Sequence, residues 1–193
     1  MRLKLWLNSC VLSLAATSTA WAAGYAGGNI SVSDKSADLG VFSLKETATD
    51  VTRLGANYFY NSPGDKFIGV HLQVNRKGWV SSDNLDFGVK AKAFYLSRNK
   101  YNDDGYGLML GLAGRYWFPT AMPMAISAEW LYSPQIITGG KAENATDARI
   151  RGELRILPKV IAFIGYRNLE AKFSTHGTHN LDSSLHIGVE VGF

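Results

Sequence analysis

Histidines and interleaved charges are where chemistry would be sought in this chain. Its four histidines are His71, His176, His179 and His186. His176 and His179 stand three apart in Ser174-Thr175-His176-Gly177-Thr178-His179, a spacing at which two imidazoles can share a metal ion. Two ligands in a polar loop fall short of the three or four that a zinc site takes, so no metal is expected. Asp103-Asp104 before Gly105 opens like a calcium loop but lacks the remaining ligand pattern. No glycine-rich phosphate cradle follows a strand and opens a helix. His71 and His186 would be the bases of any hydrolytic site, but interior hydrogen bonding is the plainer role for both. The expectation is a protein that is not an enzyme, with no catalytic residue, no metal and no cofactor.

The charges carry a clearer pattern. Ala148, Ile150, Gly152, Leu154 and Ile156 alternate with Arg149, Arg151, Glu153 and Arg155. A period of two is that of a β-strand with unlike faces. The same logic sets Ile68, Val70, Leu72 and Val74 against His71 and Gln73. It sets Leu85, Phe87, Val89, Ala91 and Ala93 against Asp86, Lys90 and Lys92, and Ile126, Ala128, Trp130 and Tyr132 against Ser127 and Glu129. Leu108, Leu110 and Leu112 oppose Arg115, while Arg53, Arg167, His186 and Glu190 complete the charged face.

The elements that must hold these faces are strands. All five prolines, Pro63, Pro119, Pro123, Pro134 and Pro158, fall between candidate strands, as residues without an N–H must. Ten strands are expected, at about 25–33, 37–45, 51–60, 66–75, 85–96, 105–118, 124–133, 147–157, 160–169 and 183–193; eight is the alternative. Many approach the ~9–11 residues that a tilted membrane strand needs. The links at 61–65, 97–104, 134–146 and 170–182 are expected on one side and those at 46–50, 76–84, 119–123 and 158–159 on the other. Gly107, Gly111 and Gly114 suit close strand packing.

The chain closes on Leu185-His186-Ile187-Gly188-Val189-Glu190-Val191-Gly192-Phe193. Leu185, Ile187, Val189, Val191 and Phe193 form an unbroken apolar face ending in an aromatic residue. This ending resembles that of bacterial outer-membrane β-barrel proteins, and the resemblance implies that it serves as the assembly signal read by the barrel-insertion machinery. At the other end, Arg2 and Lys4 precede an apolar stretch and Ala20-Trp21-Ala22, the form of a secretory signal peptide cleaved after Ala22. Residues 1–22 are therefore read as signal and 23–193 as one domain. Cys10, the one cysteine, falls in the signal, so no disulfide is expected. Loss of Arg2 and Lys4 takes the net charge from +4 to +2, which gives no reason to expect nucleic acid binding.

A specific family is resembled by an ordered set of segments: Ile30-Ser31-Val32-Ser33, Leu39-Gly40, Ala128-Glu129-Trp130-Leu131-Tyr132-Ser133-Pro134, and Gly165-Tyr166-Arg167-Asn168-Leu169. These resemble the YfaZ-like outer-membrane proteins across the chain after its signal. The resemblance implies a small barrel and supplies no activity.

The combined expectation is an all-β, transmembrane, antiparallel up-and-down barrel in the bacterial outer membrane. Apolar residues would face lipid and lipopolysaccharide. The lumen would hold Arg53, Lys90, Lys92, Arg115, Glu129, Arg149, Arg151, Glu153, Arg155, Arg167 and Glu190. Glu129, Glu153 and Glu190 are expected to pair with Arg115, Arg149, Arg151 and Arg167 and fill the bore; a narrow, weakly anion-preferring pore is the sharper alternative. Trp117, Phe118, Trp130, Tyr132, Tyr58 and Tyr60 are assigned to aromatic girdles. A structural or narrow porin-like barrel ranks first, and a monomer is expected. A binding protein using the loops 97–104, 134–146 and 170–182 ranks second, and a lipid-modifying or proteolytic enzyme using His71 or His186 third.

Overall fold

The computed structural model describes residues 24–78, 84–101 and 103–193. The signal segment with Cys10 and its cleavage position lie outside the described residues, as do 79–83 of the 76–84 link and Asn102.

Strand-forming alternation produces ten long strands. They are β1 (Gly24–Val32), β2 (Ser36–Glu46), β3 (Asp50–Asn61), β4 (Lys66–Arg76), β5 (Leu85–Arg98), β6 (Asp103–Trp117), β7 (Met124–Ser133), β9 (Ala142–Leu157), β10 (Val160–Phe173) and β11 (Gly177–Gly192). A three-residue strand, β8 (Thr138–Gly140), follows a short 3-10 turn and pairs with the start of β6. Successive long strands pair antiparallel. The ring shuts where β1 meets β11, from Gly27 opposite Gly192 to Val32 opposite Ile187. The result is a closed ten-strand antiparallel barrel with no free edge, which settles ten strands against eight.

Both ends of the described chain lie at one end of the cylinder, called here the terminal end. All five prolines sit outside the long strands. Gly177, at φ +69°, takes the left-handed conformation that lets β10 turn into β11 through 174–176.

At the far end the strands run further than the residue pattern foretold. β9 starts at Ala142, β10 continues to Phe173, and β11 begins at Gly177. The expected links 134–146, 170–182 and 97–104 shrink to 134–141, 174–176 and 99–102. Phe173 still pairs with Gly177 and Lys172 with Thr178. Polar residues such as Glu143, Asn144, Lys172 and Asn180 remove the alternation there, but the ladder needs only backbone N–H and C=O groups. A bulge between Leu169 and Glu170 leaves Leu181 unpaired, so that consecutive Leu181 and Asp182 are both buried.

The exterior is apolar. Val41, Val70, Val89, Leu110, Ile150, Ile164 and Ile187 are all at least half exposed. At the far half Trp130 stacks on Tyr132 at 6.2 Å, with Tyr58, Tyr60 and Tyr106 also exposed. A face this greasy is not tolerated over so large an area in water. Gly111 lies where strands crowd, since a Cβ there would stand 1.9 Å from the Trp130 carbonyl oxygen. Gly107 is similarly confined by the Ile137 carbonyl, whereas Gly114 faces the ring of Phe87.

Candidate functional site

Inward-facing positions build the lumen in layers, and charge occupies the middle. Lys92 on β5 donates to Asp147 on β9 at 2.6 Å, and Asp147 also accepts from Arg149 at 2.9 Å. Glu129 on β7 takes Arg149 from β9 at 3.2 Å and Lys90 from β5, two strands along the wall. Arg167 on β10 reaches Asp182 at 2.6 Å and also pairs with Asp38 on β2, which receives the amide of Asn57 as well. Nearer the terminal end, Arg53 grips Glu190 with two bonds of 2.8 and 3.1 Å, and Arg115 pairs with Glu153 at 3.0 Å. Buried ions need such partners, because the charged form loses its water.

Of the expected pairings, Glu153 with Arg115 and Glu129 with Arg149 are present. Glu190 goes instead to Arg53, Lys90 joins Arg149 on Glu129, and Arg167 goes to Asp38 and Asp182. Asp38, Asp147 and Asp182 carry much of the network and were not singled out. Asp147 opens an expected strand, Asp182 falls in an expected loop, and Asp38 sits beside Leu39-Gly40 where alternation is short.

One assignment needs correction: Trp117 is not a girdle residue. It lies on the inward parity of β6, with the guanidinium of Arg155 4.4 Å and that of Arg115 5.6 Å from its ring centre. Arg155 thus keeps the inner side but is exposed at the mouth, near the end of β9. Phe118 is exposed and meets Tyr116 edge-on at 5.4 Å.

Beyond the charged layer, toward the far end, the inward positions are taken by apolar side chains. Phe59, Phe67, Phe94, Leu96, Met109 and Leu131 form a buried cluster with Leu169, Phe173 and Leu181. Phe67 stacks on Phe94 at 5.6 Å. This cluster has inward parity but no polar residue, and residue patterning missed it.

The far rim is tied by two histidine–aspartate contacts. His179 meets Asp65 at 2.8 Å and His176 meets Asp103 at 2.8 Å, so the two imidazoles go to different carboxylates. Asp103 also accepts from Lys141, and His176 stacks on Tyr101 at 4.1 Å. Burial pushes the Asp65 carboxyl up, but hydrogen bonds from His179, Asn61 and the Asn99 backbone outweigh it and hold it below the usual range. Among the described residues no group of three or more potential metal ligands gathers.

Toward the terminal end the lumen leaves a cavity of about 100 Å³. Its lining runs from Lys92, Asn57 and Asp38 at mid-barrel to Leu44, Val51 and Asp86 near the mouth, and takes in His71. Nδ1 of His71 is buried without a hydrogen-bond partner, as is Nδ1 of His186. His186 lies edge-on to Phe163 at 6.0 Å. The terminal-strand residues Leu185, Ile187, Val191 and Phe193 are exposed on the exterior, with Val189 half-buried between them.

These features define a class: a closed, ten-strand antiparallel barrel that is greasy outside and charged within, with a buried apolar cluster toward one end. The chain matches the YfaZ precursor family over residues 3–193 and belongs to that family. No curated protein matches it. Among solved structures it is similar to a bacterial polysaccharide outer membrane secretin (12% identity, 82% of this chain and 56% of that one, TM-score 0.43). It is also similar to the outer membrane channel DcaP of Acinetobacter baumannii (11% identity, 86% and 54%, TM-score 0.45) and to the NanC porin (13% identity, 88% and 99%, TM-score 0.44). The chain spans about half the length of the first two. The barrel assignment rests on the strand pairings themselves, not on these likenesses.

Proposed function

We propose that this chain is a small integral barrel of the bacterial outer membrane whose lumen is closed by its own side chains. In this reading the terminal end faces the periplasm and the far rim faces outward. The exterior meets lipid and lipopolysaccharide, as an apolar belt flanked by aromatic residues would. Export by the leader and recognition of Leu185, Ile187, Val189, Val191 and Phe193 by the insertion machinery belong to the same reading. So do a monomeric state and the absence of catalysis.

One observation carries the closed state: the buried cluster around Phe59, Phe67, Phe94, Leu96 and Met109 lies across the bore above the ion pairs. About ten strands leave little room once inward side chains are large. Apolar constrictions also exclude water and ions by dewetting. Refolded protein inserted into planar bilayers is expected to leave the baseline current unchanged. Steady single-channel steps from protein of correct heat-modifiable mobility would defeat the proposal and restore the narrow pore. Surface binding by loops is less favoured, since the far-end links are short, 174–176 among them.

A further inference from the structure

The cavity on the terminal side contains a guanidinium without a carboxylate. We propose that it is a binding site for a small free oxyanion of the sulfate or phosphate class, held by Arg151. This goes beyond the closed-barrel reading, because it concerns the open half of the lumen and does not depend on the apolar block.

Three observations point there. The first is the partner arrangement. Arg53, Lys90, Lys92, Arg115, Arg149 and Arg167 each have an acidic partner. Arg151 has none among the described residues. The acids within reach are already engaged: Glu129 by Lys90 and Arg149, Glu153 by Arg115 and Ser127, and Asp38 by Arg167 and Asn57.

The second is positioning. The Arg151 guanidinium lies 4.6 Å from the centre of the Phe163 ring. Its stem runs beside Gly165, where a Cβ would stand 2.8 Å from Arg151 Cγ. Phe163 and Gly165 therefore hold the fork in place by stacking and by leaving room, without consuming its N–H donors.

The third is the cavity itself. Arg151 lines it, together with Lys90, Arg115 and Arg149, whose charges are met by Glu129 and Glu153. His71, with Nδ1 unpartnered, lines it too and can supply a further donor in the Nδ1–H tautomer. At about 100 Å³ the space has room for several waters or a tetrahedral oxyanion. A planar guanidinium fork matches an oxyanion through paired N–H···O bonds.

The test is equilibrium dialysis of the refolded full barrel in detergent against labelled sulfate, and separately against labelled inorganic phosphate, at fixed ionic strength. Saturable binding is expected, weakened about tenfold or more in Arg151→Gln and partly retained in Arg151→Lys. Arg151→Gln must keep the folded gel mobility. Arg76→Gln, on an exposed strand end, is expected to bind like wild type. No saturable uptake by wild type, equal uptake by Arg151→Gln, or an equal loss in Arg76→Gln would each overturn the site. Free phosphate is expected to compete better than a sugar phosphate monoester; equal or stronger competition by the ester would overturn the free-ion assignment.

Discussion

Lys92 and Asp147 meet across the lumen at 2.6 Å with almost no exposed surface on either side chain. Strands β5 and β9 are not neighbours in the wall, so the pair bridges inside the bore over the intervening β6 and β7. Removing one member of a buried pair leaves the other charge without compensation, at about 3–5 kcal/mol. Asp147→Asn is expected to cost that much, because both Lys92 and Arg149 lose a carboxylate. Lys92→Met is expected to cost less, since Asp147 keeps Arg149 at 2.9 Å. The double variant should cost less than the two singles added. Denaturant unfolding of the barrel in lipid vesicles checks all three; strict additivity would mean that the pair is not coupled.

The rim offers a pH prediction. Asp65 is held below the ordinary carboxylate range by His179, Asn61 and the Asn99 backbone against the opposing effect of burial. A depressed folded-state pKa means that the unfolded chain binds more protons in that interval, so stability rises with pH there. The contribution is therefore full above the unfolded value of about 3.9 and disappears as pH falls through the folded value. Asp65→Asn should remove it. The stability difference between wild type and this variant is expected to be flat above about pH 5 and to shrink in acid. A difference that grew on acidification would contradict the assignment.

The exterior belt gives a third expectation. Val70 sits mid-strand on β4 and is 52% exposed. Val70→Arg is expected to destabilise the vesicle-inserted barrel by about 2–4 kcal/mol, and the same change near a strand end by about 0–1. Reversible unfolding from vesicles provides the measurement. An equal, small cost at both depths would show that this face does not meet hydrocarbon.

The chain's last residue separates assembly from stability. The Phe193 backbone N–H donates to the Ala26 carbonyl at 2.8 Å, and its ring is 75% exposed. Deleting Phe193 is expected to lower the amount inserted in cells several-fold while leaving refolding in detergent nearly unchanged. Equal loss in both settings would assign Phe193 to holding the fold rather than to being recognised.

The wall of this barrel is written in its residues, and the apolar cluster inside it is not. Where an inward charge alternates with an outward aliphatic, as at Arg149, Ile150 and Arg151, the period of two places both faces. At the far half, inward Phe59 lies between outward Tyr58 and Tyr60, and inward Phe67 beside outward Ile68. Both faces there are apolar, so the alternation vanishes although the geometry persists. The opposite failure hides the ends of β9 and β11, where Glu143, Asn144, Thr178 and Asn180 make both faces polar. The ion-pair partners were hidden for a third reason. Asp147 meets Lys92 because the sheet closes, and cross-bore distances are set by the ring rather than by any local spacing.

The seam between β1 and β11 carries a consequence for biogenesis. It joins the first described strand to the last, so the circle is incomplete until the final residues have emerged and found Gly27 to Val32. No shortened precursor can bury its hydrogen-bonding margin, and every intermediate exposes two raw borders to its surroundings. After closure the sheet has no loose margin from which unravelling or fibre growth can start.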